Sequence, residues 1–225
     1  MHVTRKPYLP AAGKDWLLHF YDPFTKLLDV EAFHTRLINQ AAISPGHRVL
    51  EIGCGTGNLA ILIKRLNPAA QVVGIDPDPN ALARARRKAQ RRGSEIQFDQ
   101  GFSEELPYPD ASFDRVFSAF MLHHVRPDAK PVSLREAFRV LKPGASLQLA
   151  DFNEGERPSG GFHGFLASIF HSRHGSSPHH SVLALLQHAG FVDSKKVADQ
   201  TVVLGRIVYY EGVRPPPIST ASQSH

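Results

Sequence analysis

The chain has 225 residues, 42% of them apolar and 21% charged, with a formal net charge of +5 and a single cysteine, Cys54. That length holds one hydrophobic core with an elaboration, and that composition excludes a long disordered protein, a collagen and a mucin stalk. The lone cysteine excludes an internal disulfide and a Cys-x-x-Cys zinc ribbon, and no apolar run reaches the ~18–20 residues of a membrane span.

Met1-His2-Val3-Thr4-Arg5-Lys6-Pro7 leads into Gly13-Lys14-Asp15 rather than into the apolar stretch of a signal peptide, so a soluble, cytoplasmic protein is expected. Trp16, Leu17, Phe20, Tyr21, Phe24, Leu27, Leu28, Phe33, Leu37 and Ile38 then recur at three- and four-residue spacings, broken at Asp22-Pro23. This pattern predicts helices over 1–44. Ser44-Pro45-Gly46 opens a domain expected over 45–212. Predicted strands run His47–Ile52, Gln71–Ile75, Glu95–Phe98, Phe113–Ala119 and Ser146–Phe152. Predicted helices fill Leu59–Leu66, Pro77 to about Arg92, and Val132–Leu141, the last closed by Lys142-Pro143-Gly144. Such alternation demands right-handed crossovers and a mostly parallel sheet with helices on both faces. A helix over Val182–Ala189 and closing strands over Phe191–Val197 and Thr201–Tyr210 bring the expected sheet to seven strands in an α/β, Rossmann-like fold. The tail 213–225, with Pro215-Pro216-Pro217, reads as disordered.

The informative segment is Glu51-Ile52-Gly53-Cys54-Gly55-Thr56-Gly57-Asn58, between a strand and a helix. Its alternate glycines let backbone approach a ligand at the strand's carboxyl end. A dinucleotide fingerprint, G-x-G-x-x-G, would place a glycine where Asn58 stands. Glu51 at the strand end would also repel a pyrophosphate, but it suits the ammonium and sulfonium of S-adenosylmethionine. Asp76, ending the next strand before Pro77, is placed to accept hydrogen bonds from both ribose hydroxyls.

Together with Leu106-Pro107-Tyr108-Pro109-Asp110-Ala111-Ser112-Phe113-Asp114, Leu122-His123-His124 and Arg139-Val140-Leu141-Lys142-Pro143-Gly144, these elements resemble the class I S-adenosylmethionine-dependent methyltransferases over Val49–Phe152. Within them the pattern is most similar to small-molecule methyltransferases of the ubiquinone/menaquinone-biosynthesis type. The resemblance implies an enzyme transferring methyl groups from S-adenosylmethionine, with S-adenosylhomocysteine as product. It also implies an N-terminal helical lid over 1–44 that includes Tyr21. Cofactor contacts carry over to Glu51, Gly53, Cys54, Gly55, Gly57, Asp76, Pro77, Phe102, Ser103 and Ala119. Gly101-Phe102-Ser103 departs from the family's Gly-Asp-Ala, so Phe102 would flank the adenine instead of accepting its hydrogen bond.

Methyl transfer needs alignment, and a base only where the acceptor holds a proton of high pKa. His123 and His124, after the fourth strand, are candidates for that base or for packing beneath the cofactor, and Tyr21 for touching substrate. Cys54 reads as a cofactor-lining residue. Asn153–Ser181 is the expected substrate cover, and Phe162, Phe165, Leu166, Ile169 and Phe170 suit an aromatic or lipid-like small molecule. O-, N- and C-methylation stay open, as does the oligomeric state. The cluster His171, His174, His179 and His180 lacks regular metal-ligand spacing, and no metal is expected. Asp151 and Asn153 do not complete a catechol-type metal site, because no acid stands at Ser118 or Ala119.

Alternative readings are a nucleic-acid or protein methyltransferase, or a cofactor-binding module without activity. Ser118-Ala119-Phe120-Met121 replaces the Asn/Asp-Pro-Pro-Tyr/Phe that holds a flipped base, which disfavours nucleic acid. Arg84, Arg86, Arg87, Lys88, Arg91 and Arg92 hold the whole charge excess: without these six the net +5 becomes −1. The run reads as a solvated helix face, with peripheral membrane contact through Arg84–Arg92 as the alternative.

Overall fold

The computed structural model describes residues 30–153, 181–202 and 205–217. The expected lid before residue 30, the substrate cover and histidine cluster over 154–180, and residues 218–225 lie outside the described residues. Of the tail expected to be disordered over 213–225, Val213 instead ends the last strand and Arg214 is hydrogen-bonded to the body of the domain.

In chain order the elements are α1 (Val30–Gln40), β1 (Arg48–Ile52), α2 (Asn58–Leu66), β2 (Gln71–Asp76), α3 (Pro79–Arg91), β3 (Gln97–Gln100), β4 (Phe113–Ala119), a 3-10 turn (Leu122–His124), α4 (Lys130–Val140), β5 (Leu141–Phe152), α5 (Val182–His188), β6 (Val192–Val202) and β7 (Gly205–Val213). The sheet order is β3-β2-β1-β4-β5-β7-β6. The first five strands pair parallel, and β7 lies antiparallel between β5 and β6.

Strands buried on both faces read as near-continuous apolar runs, as Val49-Leu50 and Val72-Val73 do. Val49, Val72, Phe117, Ala150 and Tyr209 pack on one side with residues of α1, α2 and α3. Leu50, Val73, Val116 and Leu149 pack on the other with residues of α4 and α5. Asp78 caps α3 by accepting from the Asn80 backbone N–H, with Pro79 in the first helical position. No described helix is long and apolar enough to cross a membrane.

Several expected boundaries move, β3 among them, which runs Gln97–Gln100 instead of Glu95–Phe98. β5 begins at Leu141 instead of Ser146, because Leu141 already pairs with Phe113 before a register shift. Lys142-Pro143-Gly144 is thus the irregular start of a strand. Towards the carboxyl-terminal end, Ala198-Asp199-Gln200, which lies between the two expected closing strands, belongs to β6. Asp199 bridges to Arg206 across the hairpin at 2.5 Å and also pairs with Lys196. At a sheet edge such charge pairs let polar residues keep strand geometry.

Two guanidiniums tie the connecting segments to α4. Arg139 donates to the carbonyls of Leu106 (3.0 Å) and Tyr108 (2.8 Å), and to Glu136 (2.7 and 2.8 Å) and Asp110 (2.7 Å). Glu136 in turn accepts from the Leu106 backbone N–H at 2.8 Å. Tyr108 closes the same loop onto β3 through Asp99, at 2.8 Å. From beyond β7, Arg214 reaches the α4 carboxyl end, donating to the carbonyls of Phe138, Arg139 and Leu141 at 3.1, 2.8 and 2.6 Å. A cation there satisfies the last carbonyls and complements the helix dipole.

Arg139→Ala should therefore cost about 2–3 kcal/mol in urea unfolding, the scale of several charge-assisted hydrogen bonds lost together. Arg214→Ala should cost less, about 1–2 kcal/mol, because Arg214 donates to three carbonyls whereas Arg139 also binds two carboxylates.

Candidate functional site

The carboxyl ends of β1, β2 and β4 converge on the glycine loop. The Ile75 carbonyl accepts from the N–H groups of Gly53 (2.8 Å) and Cys54 (3.0 Å), and the Gly57 N–H returns to the Cys54 carbonyl at 2.8 Å. Gly53 has φ +74°, and a Cβ there would lie 2.3 Å from Met121 Cγ, so only glycine admits this approach. Gly55 has nothing within 4 Å of an added Cβ, which leaves the loop open at its centre. Cys54 is buried, its sulfur filling the space over Gly74 at 2.9 Å from an added Cβ. Burial, reinforced by Glu51 and Asp76, pushes its thiol well up, away from a nucleophilic thiolate.

Asp76 is buried at the end of β2, and its carboxylate accepts from the N–H groups of Gly55 (2.8 Å) and Asp78 (2.9 Å). Burial outweighs those two hydrogen bonds and lifts its pKa to about 6. Glu51 is buried at the end of β1, and its Oε2 has no partner. Burial raises its pKa well above the carboxyl range; the Ala60 backbone N–H and Lys88 oppose this, while Asp76 adds to it. A buried carboxyl with an orphan oxygen beside an open glycine cradle fits a ligand that carries a cationic donor. Beneath the loop, Lys88 of α3 donates to Thr56 Oγ1 at 2.8 Å and to Asn58 Oδ1 at 2.7 Å.

Around this centre, the Pro77 carbonyl accepts from the Gln100 side chain at 3.1 Å. The Gly101 N–H bonds the Asp76 carbonyl at 3.2 Å, bringing the half-buried Phe102 to the same edge. The Ser103 hydroxyl is engaged with Ser133 Oγ at 2.8 Å and with Glu104 at 3.1 Å. Ala119 ends β4 in register with Ala150. Tyr21 lies outside the described residues.

His123 and His124 form the turn after β4, with ring centroids 4.0 Å apart. His123 Nδ1 lies 2.5 Å from Asp151 Oδ1, and its backbone N–H donates to Oδ2 at 3.1 Å. Burial alone would raise Asp151, but the charge and hydrogen bond of His123, with the backbone N–H groups of Phe152 and His123, hold its carboxyl below the ordinary range. With Nδ1 bonded to Asp151, the tautomer that keeps a lone pair on Nε2 is favoured.

Three features escape sequence reasoning. Asp151 reaches His123 because β4 and β5 pair side by side, a juxtaposition that no spacing announces. Phe120 adopts φ +54° without being glycine or asparagine, its N–H bonded to the Ala150 carbonyl at 2.8 Å. A bulky residue in that region is strained, and such strain concentrates at functional sites. Its ring stands 5.3 Å from Phe152 and 6.4 Å from His34. His34 is the third: burial pushes its pKa down to about 4, so it is neutral at physiological pH.

Residues 49–144 match a family described as a methyltransferase domain. The chain is 38% identical over 135 residues to a demethylmenaquinone methyltransferase of Thermus thermophilus, covering 59% of this chain and 60% of that one. It is 36% identical over 141 residues to a ubiquinone/menaquinone biosynthesis C-methyltransferase of Xanthomonas oryzae, covering 60% and 54%. It thus spans somewhat over half the length of these relatives. Among solved structures, an S-adenosylmethionine-dependent methyltransferase, SibL, superposes with a TM-score of 0.67 at 25% identity, covering 96% of this chain and 64% of that one.

Asp76 sets a pH dependence of stability. Its pKa rises from 3.8 to about 6 on folding, so its contribution is full below 3.8 and lost as pH climbs to about 6. Asp76→Asn, which mimics the neutral carboxyl, should lack this loss. Urea unfolding of the ligand-free proteins should show the wild type losing stability relative to the variant across that window. A constant difference would remove Asp76 as the cause.

Proposed function

We propose that the chain, whose residues 49–144 match a methyltransferase domain family, is an enzyme that transfers a methyl group from S-adenosylmethionine to a small, aromatic or lipid-like acceptor. The observation that carries this reading is the buried Glu51–Asp76 pair beside the open centre of the glycine loop. Bound there, the cofactor supplies an electrophilic methyl on a sulfonium. Glu51 offers its orphan Oε2 to the cationic amine, and Asp76 offers its carboxylate to the ribose hydroxyls. Both interactions favour ionised carboxylates that burial disfavours in the ligand-free protein, so binding is coupled to proton release. Pro77 and Phe102 would flank the adenine, and the backbone of Gly53, Cys54, Gly55 and Gly57, whose N–H groups already donate within the protein, would pass beside the methionine part. Ser103 contributes to the adenine only through its backbone N–H, since its hydroxyl is held by Ser133 and Glu104.

For the acceptor, the half-buried Phe120, His123, His124 and Phe152 form an aromatic wall at the ends of β4 and β5. Such a wall suits a planar phenol or quinol. Relatives named for menaquinone and ubiquinone biosynthesis support the same class. His123 takes the acceptor's proton at Nε2, and Asp151 holds the ring in that tautomer and stabilises the imidazolium. Asp151 is thus a positioning residue, and alignment of the acceptor with the methyl group supplies the rest of the acceleration.

Calorimetry with S-adenosylhomocysteine tests the cofactor site: Asp76→Ala should lose about 1.5–3 kcal/mol of binding, the value of charge-assisted hydrogen bonds. Turnover against a panel of quinols tests the acceptor. His123→Ala should lower kcat roughly 10²–10⁴-fold with cofactor affinity unchanged, and remove the fall in rate on the acid side. Asp151→Asn should lower kcat as well, and the double variant should be little worse than His123→Ala. A wild-type pH–rate profile in His123→Ala would leave catalysis to alignment.

A further inference from the structure

The cationic run of α3 does not behave uniformly. Arg87, Arg91 and Arg92 are exposed, whereas Lys88 is half-buried with its ammonium against the glycine loop. The loop's first half is secured by the Ile75 carbonyl, which accepts from Gly53 and Cys54. Its second half meets a different problem. Gly57 is the N-cap of α2 at φ +78°, and having no side chain it caps nothing. Thr56 and Asn58, on either side of it, are instead both held by Lys88, at 2.8 and 2.7 Å. An alternate-glycine loop has much conformational freedom to lose, and a shared charged donor removes part of it in advance.

Charge adds a second effect. Glu51 is faced by Asp76 from β2, by Cys54 from the loop, by the Ala60 backbone N–H from α2 and by Lys88 from α3. Arg86 stands on the same helix; its field reaches Cys54, and it donates to the Phe98 carbonyl at 2.6 Å. Among these, Lys88 is the cation that favours the charged form of Glu51, against burial and Asp76.

We infer that Lys88 is a positioning residue of the cofactor site: it braces Thr56 and Asn58 from beneath and supplies positive charge to the buried carboxyl of Glu51. The inference rests on the reading that this loop receives the S-adenosyl cofactor. Lys88 touches no reacting atom and acts through Thr56, Asn58 and Glu51.

The test compares wild type, Lys88→Met, Lys88→Arg and the exposed control Arg87→Met. Calorimetry measures S-adenosylhomocysteine binding as a function of pH, and hydrogen exchange measures the amides of Gly53–Asn58 in the ligand-free proteins. Lys88→Met should weaken binding about tenfold or more near neutral pH, the scale of hydrogen bonds from a charged donor. It should also move the acid-side loss of affinity to higher pH, because Glu51 then holds its proton longer. Loop amides should exchange about tenfold faster. Lys88→Arg should recover most of the affinity and the pH profile, and Arg87→Met should match wild type. Should Lys88→Met fail to fold, Lys88→Gln carries the same comparison. Wild-type affinity, pH profile and exchange in the uncharged variant would overturn the inference, whatever its effect on stability. If the wild type itself does not bind S-adenosylhomocysteine, the cofactor reading fails, and loop exchange alone decides the bracing role.

Discussion

Glu51 and Asp76 end two adjacent parallel strands, both buried, and both with carboxyls pushed up by loss of water. Much of the site is arranged around this cost. The Gly55 and Asp78 amides converge on Asp76, and the loop between the strands is tight enough for Ile75 to bond Gly53 and Cys54 together. One oxygen of Glu51 remains without a partner. A fold that keeps an unsatisfied carboxyl sacrifices stability, and the natural compensation is a ligand that brings its own donors and positive charge. Ligand affinity and ligand-free stability are therefore set against each other in the same two residues.

Charge elsewhere in the interior serves connection rather than packing. Arg139 gathers the carbonyls of Leu106 and Tyr108 with Glu136 and Asp110, so the loop before β4 is anchored to α4. Arg214, from the chain segment after β7, caps the carboxyl end of the same helix, the end that carries Arg139. The loop before β4 also buries Leu106 and Tyr108 in the core, and the guanidinium of Arg139 fixes its backbone by directional hydrogen bonds.

At the ends of β4 and β5 the constraint is steric. Met121 lies against Gly53, Phe120 is forced to positive φ, and the turn that follows brings His123 down onto Asp151. The glycine loop thus touches the turn that carries the aromatic wall, through Gly53 against Met121. Strain at Phe120 is repaid through its backbone bond to Ala150 and its ring packing with Phe152.

By itself the sequence determined the fold class, the glycine loop and the two carboxyls at the ends of β1 and β2. Each is a contiguous pattern: alternating strand and helix periods, glycines at fixed spacing, an acid at a strand end. The motifs around Leu106–Asp110 and Arg139–Gly144 were also legible, but not their purpose, since Arg139 reaches the loop across about thirty residues of chain. Tertiary structure decided the insertion of β7 between β5 and β6, the extension of β6 through Asp199, the His123–Asp151 pair and the inward turn of Lys88. A run of cations looks like a solvated face until the helix's rotation against the sheet is known, and Lys88 differs from Arg87 only by that rotation. Local periodicity reports which face of an element is apolar. It carries no record of which polar groups meet once strand register and helix crossing are set, because those contacts depend on pairs of elements and not on either one's sequence.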